Sequence, residues 1–411
     1  MKKIKMGCGG KMRTDPISEL LEQRIEFQTI TSNAPLLAFT IAEGVINPED
    51  KKSNKRDFLM KDKDNKRFEL TEKDDIIYNP ANVVFGAIHR NALGKGVVSP
   101  IYKIFKCVDI DPLYMDCVVS RSSFIYELSK YAEGSVTKLR TLAPENFLNL
   151  KLTLPTDIDE QHKIGILIEN LKTKIENEKK QTEKLKTLKA SMLDKMFPKE
   201  GETEPEIRFP GFTDAWEQRK LTNLCEKFTD GDWIEAKDQS DSGVRLVQTG
   251  NVGVTEYLDK PNNKKWISFE TFEQLHCEEV YPGDILISRL PEPAGRACIM
   301  PNLGTKMITA VDCTIVRPNA VTSTRFLLQY LSSQAYFDAV NTCLAGGTRQ
   351  RISRGNLAEF NVPIPSSKIE QEKIGEVLEK LDTLITLHQR KYKKLIDTKK
   401  AFLEKMIGGE E

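Results

Sequence analysis

The chain contains one long helical segment twice. Glu160 to Met196 and Glu370 to Met406 align without a gap at an offset of 210 residues, and 15 of the 37 positions are identical. In both copies apolar residues recur at the three- and four-residue spacing of one helix face. We therefore predict two amphipathic helices of about 40 residues, each about 60 Å long at a rise of about 1.5 Å per residue.

A helix of this length needs a partner for its apolar face, and the simplest partner is the other copy. A chain organised as domain, helix, domain, helix can place its halves about a pseudo-twofold axis, with the two helices antiparallel and one domain at each end. The alternative, two unrelated surface helices or interaction tails, is disfavoured by the gapless repeat. The residues that we predict to pair the helices or to dock a partner are Ile164, Leu167, Leu171, Leu185, Leu188, Ile374, Val377, Leu381, Leu384 and Leu395.

Length and charge limit the possible functions. With 411 residues the chain has room for two or three domains, and its net charge of +1 argues against a protein that grips nucleic acid by overall charge alone. Eight cysteines without a C-x-x-C pair indicate reduced thiols, not a zinc site or a disulfide framework. No apolar run follows the basic start and no 18-residue apolar stretch occurs, so we expect a cytoplasmic protein that is neither exported nor membrane-spanning.

The predicted fold class is α+β, with two similar mixed α/β, β-rich domains separated by the two long helices. In the first domain, residues 74–79 and 100–108 read as strands and residues near 120–132 as a short helix. The predicted boundaries are a first domain at 1–154, a first long helix at 155–197, a linker at 198–213, a second domain at 214–364 and a second long helix at 365–411.

The second domain repeats the order of segments of the first. VRLVQTGNV (244–252) corresponds to APLLAFTIA (34–42), YPGDILIS (281–288) to EKDDIIYN (72–79), and LAEFNVPIP (357–365) to FLNLKLTLP (147–155). The architecture is shared while most residues differ. This pattern favours two domains of one fold that recognise two different targets.

A catalytic constellation is not found in the sequence. There is no G-x-x-x-x-G-K-[ST] for nucleotide phosphates and no H-E-x-x-H for zinc, and the four histidines are isolated. The cluster Gly7-Cys8-Gly9-Gly10 follows no strand, and Glu178-Lys179-Lys180 lies on a helix rich in Glu and Lys, where it reads as a solvated face. We therefore expect no catalytic residue and no metal site in this chain.

Loops of both domains carry side chains suited to DNA. Phosphates take charge-assisted hydrogen bonds, while base edges take Arg on guanine and Asn or Gln on adenine. An exposed loop that carries arginines by chance is the alternative for each single residue. The candidates are Gln248, Asn251, Arg289, Arg296, Arg349, Arg351 and Arg354 in the second domain, and Asn79, Arg90, Lys138 and Arg140 in the first.

Three segments, FPGFTDAWEQRKL (209–221), YPGDILISR (281–289) and IPSSKIEQEKIGEVLEKLD (364–382), resemble the specificity (S) subunits of type I restriction-modification systems. The resemblance implies two target recognition domains that bind double-stranded DNA, and long helices that dock two methyltransferase (M) subunits, in a complex that also takes restriction (R) subunits. It implies no catalysis and no cofactor in this chain, with S-adenosylmethionine and ATP on the partner subunits. One departure is that the 210-residue offset places Met6 opposite Trp216, which predicts a diverged or shortened opening of the first domain.

The sequence thus predicts a non-catalytic recognition subunit. Each domain would read one half of an asymmetric bipartite DNA target, and the helices would set the spacing. A coiled-coil adaptor without DNA readout is the alternative, disfavoured by the arginine-rich segment GGTRQRISRGN (346–356). A fused methylase or nuclease would need a catalytic domain that this length does not hold.

Overall fold

The computed structural model describes residues 11–50, 66–132, 140–346 and 350–407. The chain divides into two compact units. Unit 1 takes the residues up to 178 together with those from 391 onward, and unit 2 takes residues 179–390. Each unit combines one mixed α and β block with a part of both long helices. The finer domain boundaries given above remain predictions.

Unit 1 is built from short elements and the first part of one long helix. In chain order these are β1 (Met12–Pro16), α1 (Ile17–Leu20), β2 (Leu21–Arg24), β3 (Phe27–Gln28), β4 (Ala38–Thr40), β5 (Gly44–Ile46), β6 (Phe68–Thr71), β7 (Ile76–Tyr78), β8 (Ile88–Arg90), β9 (Gly96–Val98), β10 (Lys103–Cys107), α2 (Pro112–Val119), α3 (Ser122–Tyr131), α4 (Pro144–Leu148), β11 (Lys151–Pro155) and α5 (Ile158–Met196). The strands predicted at 74–79 and 100–108 are confirmed as β7 and β10, and the helix predicted near 120–132 is confirmed as α3.

The core of unit 1 lies between an antiparallel sheet and the helices. The sheet has the strand order β2-β10-β7-β8, and β1 pairs with β11 beside it. Tyr78, Phe105 and Phe147 of β7, β10 and α4 are buried together, with ring centroids 5.1 to 5.9 Å apart. Because these rings come from the sheet and a helix, they tie the two layers of the unit together.

Unit 2 contains the second block, the end of α5 and the start of the second long helix. Its elements are β12 (Glu217–Lys220), β13 (Cys225–Asp230), β14 (Gln239–Ser240), β15 (Val244–Val247), β16 (Lys265–Ile267), α6 (Phe269–Gln274), β17 (Ile285–Ser288), β18 (Ala297–Ile299), β19 (Met307–Thr309), β20 (Cys313–Pro318), α7 (Thr324–Tyr330), α8 (Gln334–Thr342), α9 (Arg354–Ala358), β21 (Asn361–Ile364) and α10 (Lys368–Ile407).

The two units repeat one topology. The sheet β13-β20-β17-β18 has the same order as β2-β10-β7-β8, and the ribbon β12·β21 corresponds to β1·β11. Helices α7, α8 and α9 follow β20 as α2, α3 and α4 follow β10. The additional sheets differ, since unit 2 has β14-β16-β15-β19 where unit 1 has β3-β6-β9. The predicted α+β internal repeat is confirmed.

The opening strand of unit 1 corrects the expectation that Met6 corresponds to Trp216. Arg13 pairs with Leu154, and Glu217 pairs with Ile364, the residue equivalent to Leu154 at the 210-residue offset. Arg13 therefore corresponds to Glu217, and Met12 takes the position of Trp216. Equivalent residues of the two units are therefore 204 positions apart at β1 and β12, and 210 positions apart in the long helices. The difference arises because unit 2 has six more residues than unit 1 between equivalent positions of the opening strand and of the strand that pairs with it. Within the described residues, the opening strand of unit 1 is present, with Met12 in place of Trp216.

Both long helices form as predicted, over 39 residues in α5 and 40 in α10. In unit 1, Leu403 of α10 packs in the core with Ile164, Ile168 and Leu171 of α5. In the same unit Lys391 forms an ion pair with Glu178. Since later residues of α10 meet earlier residues of α5, the helices run antiparallel within this unit.

Unit 2 pairs the other parts of the same helices. Leu193 and Met196 of α5 share a buried cluster with Ile374 and Leu378 of α10. A charged contact joins the helices as well, because Lys189 Nζ lies 2.6 Å from Asp382 Oδ1. Asp382 also accepts a hydrogen bond from Gln329 Nε2 of α7 at 2.9 Å. The antiparallel pairing in unit 2 is thus fixed by packing and by a partly buried polar contact.

A buried glutamine anchors each long helix to its own block. Gln161 Oε1 accepts from Asp111 N at 2.9 Å, just before α2, and Gln371 Oε1 accepts from Ser323 N at 2.7 Å, just before α7. Asp111 and Ser323 are the N-cap residues of those helices. The glutamine of the repeated Glu-Gln pair is therefore retained in both copies because it satisfies a buried helix start.

A glycine one turn later lets the helices approach closely. A Cβ atom at Gly165 would lie 2.4 Å from Leu113 Cβ, and one at Gly375 would lie 2.7 Å from Phe326 N. Both distances are shorter than any Cβ contact allows, and backbone atoms are among the nearest neighbours. Each long helix therefore crosses the first turn of α2 or α7 at a distance that only glycine permits.

Candidate nucleic-acid interface

The two units carry an equivalent loop after the central strand of the sheet. The hairpin loop is 79–87 between β7 and β8 in unit 1, and 289–296 between β17 and β18 in unit 2. Asn79 N donates to Ala87 O at 2.9 Å, and Ser288 N donates to Arg296 O at 2.8 Å. The two loops therefore close in the same way on the same strands of the repeated sheet.

A second segment joins the hairpin loop in each unit. We call it the pre-helix segment, residues 140–143 before α4 and 350–353 before α9. Leu142 N donates to Pro80 O at 3.1 Å, and Ile352 N donates to Arg289 O at 3.2 Å. The hairpin loop, the pre-helix segment and the first residue of α4 or α9 form what we call the reading surface of each unit. It gathers segments that are far apart in the sequence.

Three of the arginines on the reading surface of unit 2 lie around two acidic side chains. Arg289 Nη2 lies 3.4 Å from Asp230 Oδ2, and Arg354 Nε lies 3.8 Å from the same oxygen. Arg351 Nη1 lies 3.4 Å from Asp312 Oδ1. These are long, partial ion pairs, so they orient the guanidinium groups without using all of their N–H donors.

Exposure separates the roles of these arginines. The side chain of Arg289 is only 5% exposed, whereas those of Arg351 and Arg354 are 56% and 47% exposed. Arg289 also donates from Nη2 to Val311 O at 2.5 Å. It therefore holds the neighbouring backbone and Asp230, while Arg351 and Arg354 present guanidinium groups to solvent, where a phosphate or a guanine edge can bind them.

Arg296 holds the hairpin loop of unit 2 in shape. Its guanidinium donates to Val252 O at 2.6 Å, Leu290 O at 2.7 Å, Thr249 O at 2.8 Å and Pro293 O at 3.0 Å. Burial lowers the pKa of Arg296 from its ordinary value, because carbonyls replace water around the cation. With four backbone acceptors, this side chain joins the hairpin loop to the turn at residues 249–252.

Asn251 and Gln248 belong to that turn. Asn251 is buried; its Oδ1 accepts from Gln248 N at 3.0 Å and its Nδ2 donates to Leu258 O at 2.9 Å. The side chain of Asn251 is thus used within the fold, while Gln248 is half-buried at the end of β15. Of the two, Gln248 is the residue with surface left for a ligand.

In unit 1 the candidate residues are more dispersed. Arg140 is exposed in the pre-helix segment, and Asn79 is half-buried in the hairpin loop, where its Oδ1 accepts from Ala81 N at 3.1 Å. Arg90 is nearly buried; it lies 2.6 Å from Asp74 Oδ1 and 3.7 Å from Glu169 Oε1 of α5. Arg90 therefore braces β8 against the long helix. Lys138, like Arg349 of unit 2, lies outside the described residues.

The helix residues named from the sequence divide by exposure. Four are buried (Ile164, Leu171, Ile374 and Leu381), four are half-buried (Leu167, Leu185, Val377 and Leu395), and Leu188 and Leu384 are exposed. The buried ones hold the long helices to their blocks and to each other. Leu188 and Leu384 are 48% and 42% exposed.

Sequence reasoning missed Asp230 and Asp312, which orient the arginines. Asp230 ends β13 and Asp312 precedes β20, and Asp230 Oδ1 also accepts from Thr314 Oγ1 at 2.9 Å. Asp230 reaches Arg289 and Arg354 through the tertiary fold, in which β13 pairs with β20, so no local sequence signal marks it. An acidic residue at a strand end reads as an ordinary turn residue.

The described ranges lack two features of other functional classes. Within them, no helix is long and apolar enough to cross a membrane. In the same residues no group of three or more His, Cys, Asp or Glu side chains is arranged to hold a metal ion.

Comparison with known proteins finds a similarity in sequence and a similarity in fold. Residues 213–396 match the sequence model of the family described as "Type I restriction modification DNA specificity domain". No curated protein matches the sequence. The solved structure of the type I restriction-modification system S subunit from M. genitalium is similar over 98% of both chains, with 13% identity and a TM-score of 0.63.

A second solved structure extends the likeness. It is described as the structural basis of complex assembly and conformational transition of the type I R-M system, and it covers 96% of this chain and 97% of its own, with 16% identity and a TM-score of 0.51. At these identities the structural likeness establishes the shared fold. Residues 213–396 are thus similar to the type I restriction modification DNA specificity domain, and the whole chain shares the fold of a solved type I S subunit.

Proposed function

We propose that this chain is the non-catalytic DNA-recognition subunit of a type I complex. Each reading surface reads one half of a bipartite target in the major groove. Base edges there present distinct donor and acceptor patterns, and Arg, Asn and Gln are the side chains suited to read them. The helices α5 and α10 set the distance between the two half-sites.

One observation carries the proposal. The same two segments meet in both units through equivalent backbone hydrogen bonds, Leu142 N to Pro80 O and Ile352 N to Arg289 O. The side chains on this common frame differ, since unit 2 presents Arg351 and Arg354 where unit 1 presents Thr141 and Pro144. A repeated frame with different side chains suits two readers of two sequences, so the target should be asymmetric.

In this proposal the chain works together with partner subunits. Two M subunits would supply methylation with S-adenosylmethionine, R subunits would supply ATP-driven cleavage, and the complex would work in the cytoplasm. The exposed apolar residues Leu188 and Leu384 on the long helices support a docking role, because they are solvent-exposed in the chain alone. The net charge of +1 also fits a chain that binds DNA tightly only together with its partners.

The first test is to produce the chain together with its M subunit in a host that lacks adenine methylation, and to map the methylated bases genome-wide. We expect one bipartite motif whose two halves differ, with one methylated adenine in each half. The chain without the M subunit should produce no methylation. A palindromic motif would contradict two different readers, and an active M subunit whose methylation does not depend on this chain would favour the coiled-coil adaptor.

The role of the helices in spacing has a separate test. Seven residues of helix-forming sequence are inserted into both long helices, between residues 178 and 179 and between 390 and 391, where the chain passes from one unit to the other. Seven residues keep the apolar faces roughly in phase and add about 10 Å of helix, close to three base pairs at about 3.4 Å each.

The expected result is methylation of the same two half-sites with a spacer longer by about three base pairs. The matched control carries the same insertion in α5 alone; its longer helix can bulge against unchanged α10, so its spacer should change less. An active double-insertion complex that keeps the original spacer would show that the helices dock partners without setting the distance.

A further inference from the structure

An exposed aromatic side chain stands on the reading surface of unit 1. Phe85 lies in the hairpin loop between β7 and β8, and it is 70% exposed. The equivalent residue of the unit 2 loop, by strand register, is Ala294, which is buried. Unit 1 thus exposes a large apolar ring at a position where unit 2 buries a small side chain.

The backbone around Phe85 is well supported. Residues Val83–Phe85 form one turn of 3-10 helix, in which Phe85 N donates to Asn82 O at 3.0 Å and Gly86 N donates to Val83 O at 2.9 Å. Gly86 has a φ of +89°, a left-handed conformation suited to glycine, and Gly295 of unit 2 has a φ of +85°. The loop therefore presents the Phe85 ring from a defined backbone.

Other groups on this surface fit a nucleic acid. The turn packs against α3, where Tyr126 is 64% exposed and carries Lys130 Nζ at 4.8 Å from its ring centroid. Arg140 is exposed in the adjoining pre-helix segment. Lys130 Nζ also lies 2.6 Å from Glu127 Oε1, so Arg140 is the exposed cation without this pairing beside the two exposed rings. Cations suit the phosphates, and a ring suits an apolar group among the bases.

We propose that Phe85 is a specificity-determining residue that contacts the 5-methyl group of a thymine in the half-site read by unit 1. This inference rests on the proposed function and deepens it. In the major groove the thymine methyl is the distinctive apolar group on the base edges, and apolar side chains read it by contact. A ring so exposed in the free chain loses its contact with water when it covers that methyl.

The test uses DNA that lacks single methyl groups. Each thymine of the mapped half-site of unit 1 is replaced in turn by deoxyuridine, which removes only the 5-methyl group, and binding of the chain with its M subunit is measured. That half-site is the one left unchanged by Arg351→Ala. We expect one replacement to weaken binding about fourfold, from the transfer free energy of one methyl-sized group.

Protein variants complete the cycle. Phe85→Ala should weaken binding to the thymine target about tenfold, and it should reduce the deoxyuridine effect at that one position to less than about twofold. Phe85→Leu should retain part of the discrimination, because it keeps an apolar side chain. The matched control is Ile25→Ala, whose residue is 67% exposed on another connection of unit 1. It should leave binding and the deoxyuridine effect unchanged.

Three results would overturn the inference: a half-site without thymine, a deoxyuridine effect of equal size in Phe85→Ala, or a loss in Phe85→Ala that is the same for every base sequence. The last result would mark Phe85 as a wedge or a backbone contact. A complex that binds its bipartite target normally yet shows one of these results refutes the role of Phe85 alone. A complex with no sequence-specific target refutes the proposed function itself.

Discussion

Replacing Gly375 of α10 by Val is expected to destabilise unit 2 by about 3 kcal/mol, the upper part of the range for overpacked sites. A Cβ there would lie 2.7 Å from Phe326 N and 2.8 Å from Arg325 Cβ, so the first turn of α7 must move. That movement also strains the bond from Ser323 N to Gln371 Oε1. Thermal unfolding followed by calorimetry measures the loss.

A matched glycine serves as the control for this substitution. In Gly355→Ala of α9, the nearest atom to the new Cβ is Ser353 Oγ at 3.7 Å, an ordinary contact. This variant should unfold within about 0.5 kcal/mol of the wild type, as is usual for surface changes. If Gly375→Val unfolds like Gly355→Ala, the close approach of α10 to α7 does not contribute to stability. Gly165→Val tests the same contact in unit 1.

The two long helices and the repeated fold of the two blocks could be predicted from the sequence, because their sequence signals are local or repeated. The helical periodicity of residues 160–196 and 370–406 predicts α5 and α10 directly, and the gapless repeat predicts that their blocks share a fold. The position of β1 could not be predicted in this way. A constant offset assumes that no residues are inserted, whereas the strand register shows an offset of 204 at Arg13 and 210 at Leu154.

The functional side chains were harder to predict, since residue type does not reveal exposure. Arg296 and Arg351 are both arginines near turns, yet Arg296 bonds four backbone carbonyls while Arg351 is largely in solvent. Phe85 is an apolar residue, yet it is exposed. Such distinctions depend on tertiary contacts, such as those of Arg296 with the turn at residues 249–252, which no local pattern encodes.

Removing the two exposed arginines of unit 2 is the second change with a large expected effect. Arg351→Ala and Arg354→Ala should each weaken DNA binding by about 1 to 3 kcal/mol if the arginine pairs with a guanine, with relaxed specificity at one base. If it binds a phosphate, binding to every sequence weakens, and the slope of the logarithm of the binding constant against the logarithm of salt concentration falls by about one. The matched control is Arg325→Ala; the side chain of Arg325 is 57% exposed and pairs with Glu379 on the helix side of unit 2. A surface pair of this kind contributes little.

Genome-wide methylation mapping of the Arg351→Ala/Arg354→Ala variant, produced with its M subunit, tests most directly whether each unit reads its own half-site. We expect a methylated motif in which one half-site is degenerate or lost and the other half-site is unchanged. Mapping Phe85→Ala in parallel should change the opposite half, while Arg325→Ala should give the wild-type motif. If the arginine variant and the Phe85 variant alter the same half, or if the arginine variant alters both halves, the two-reader account is contradicted.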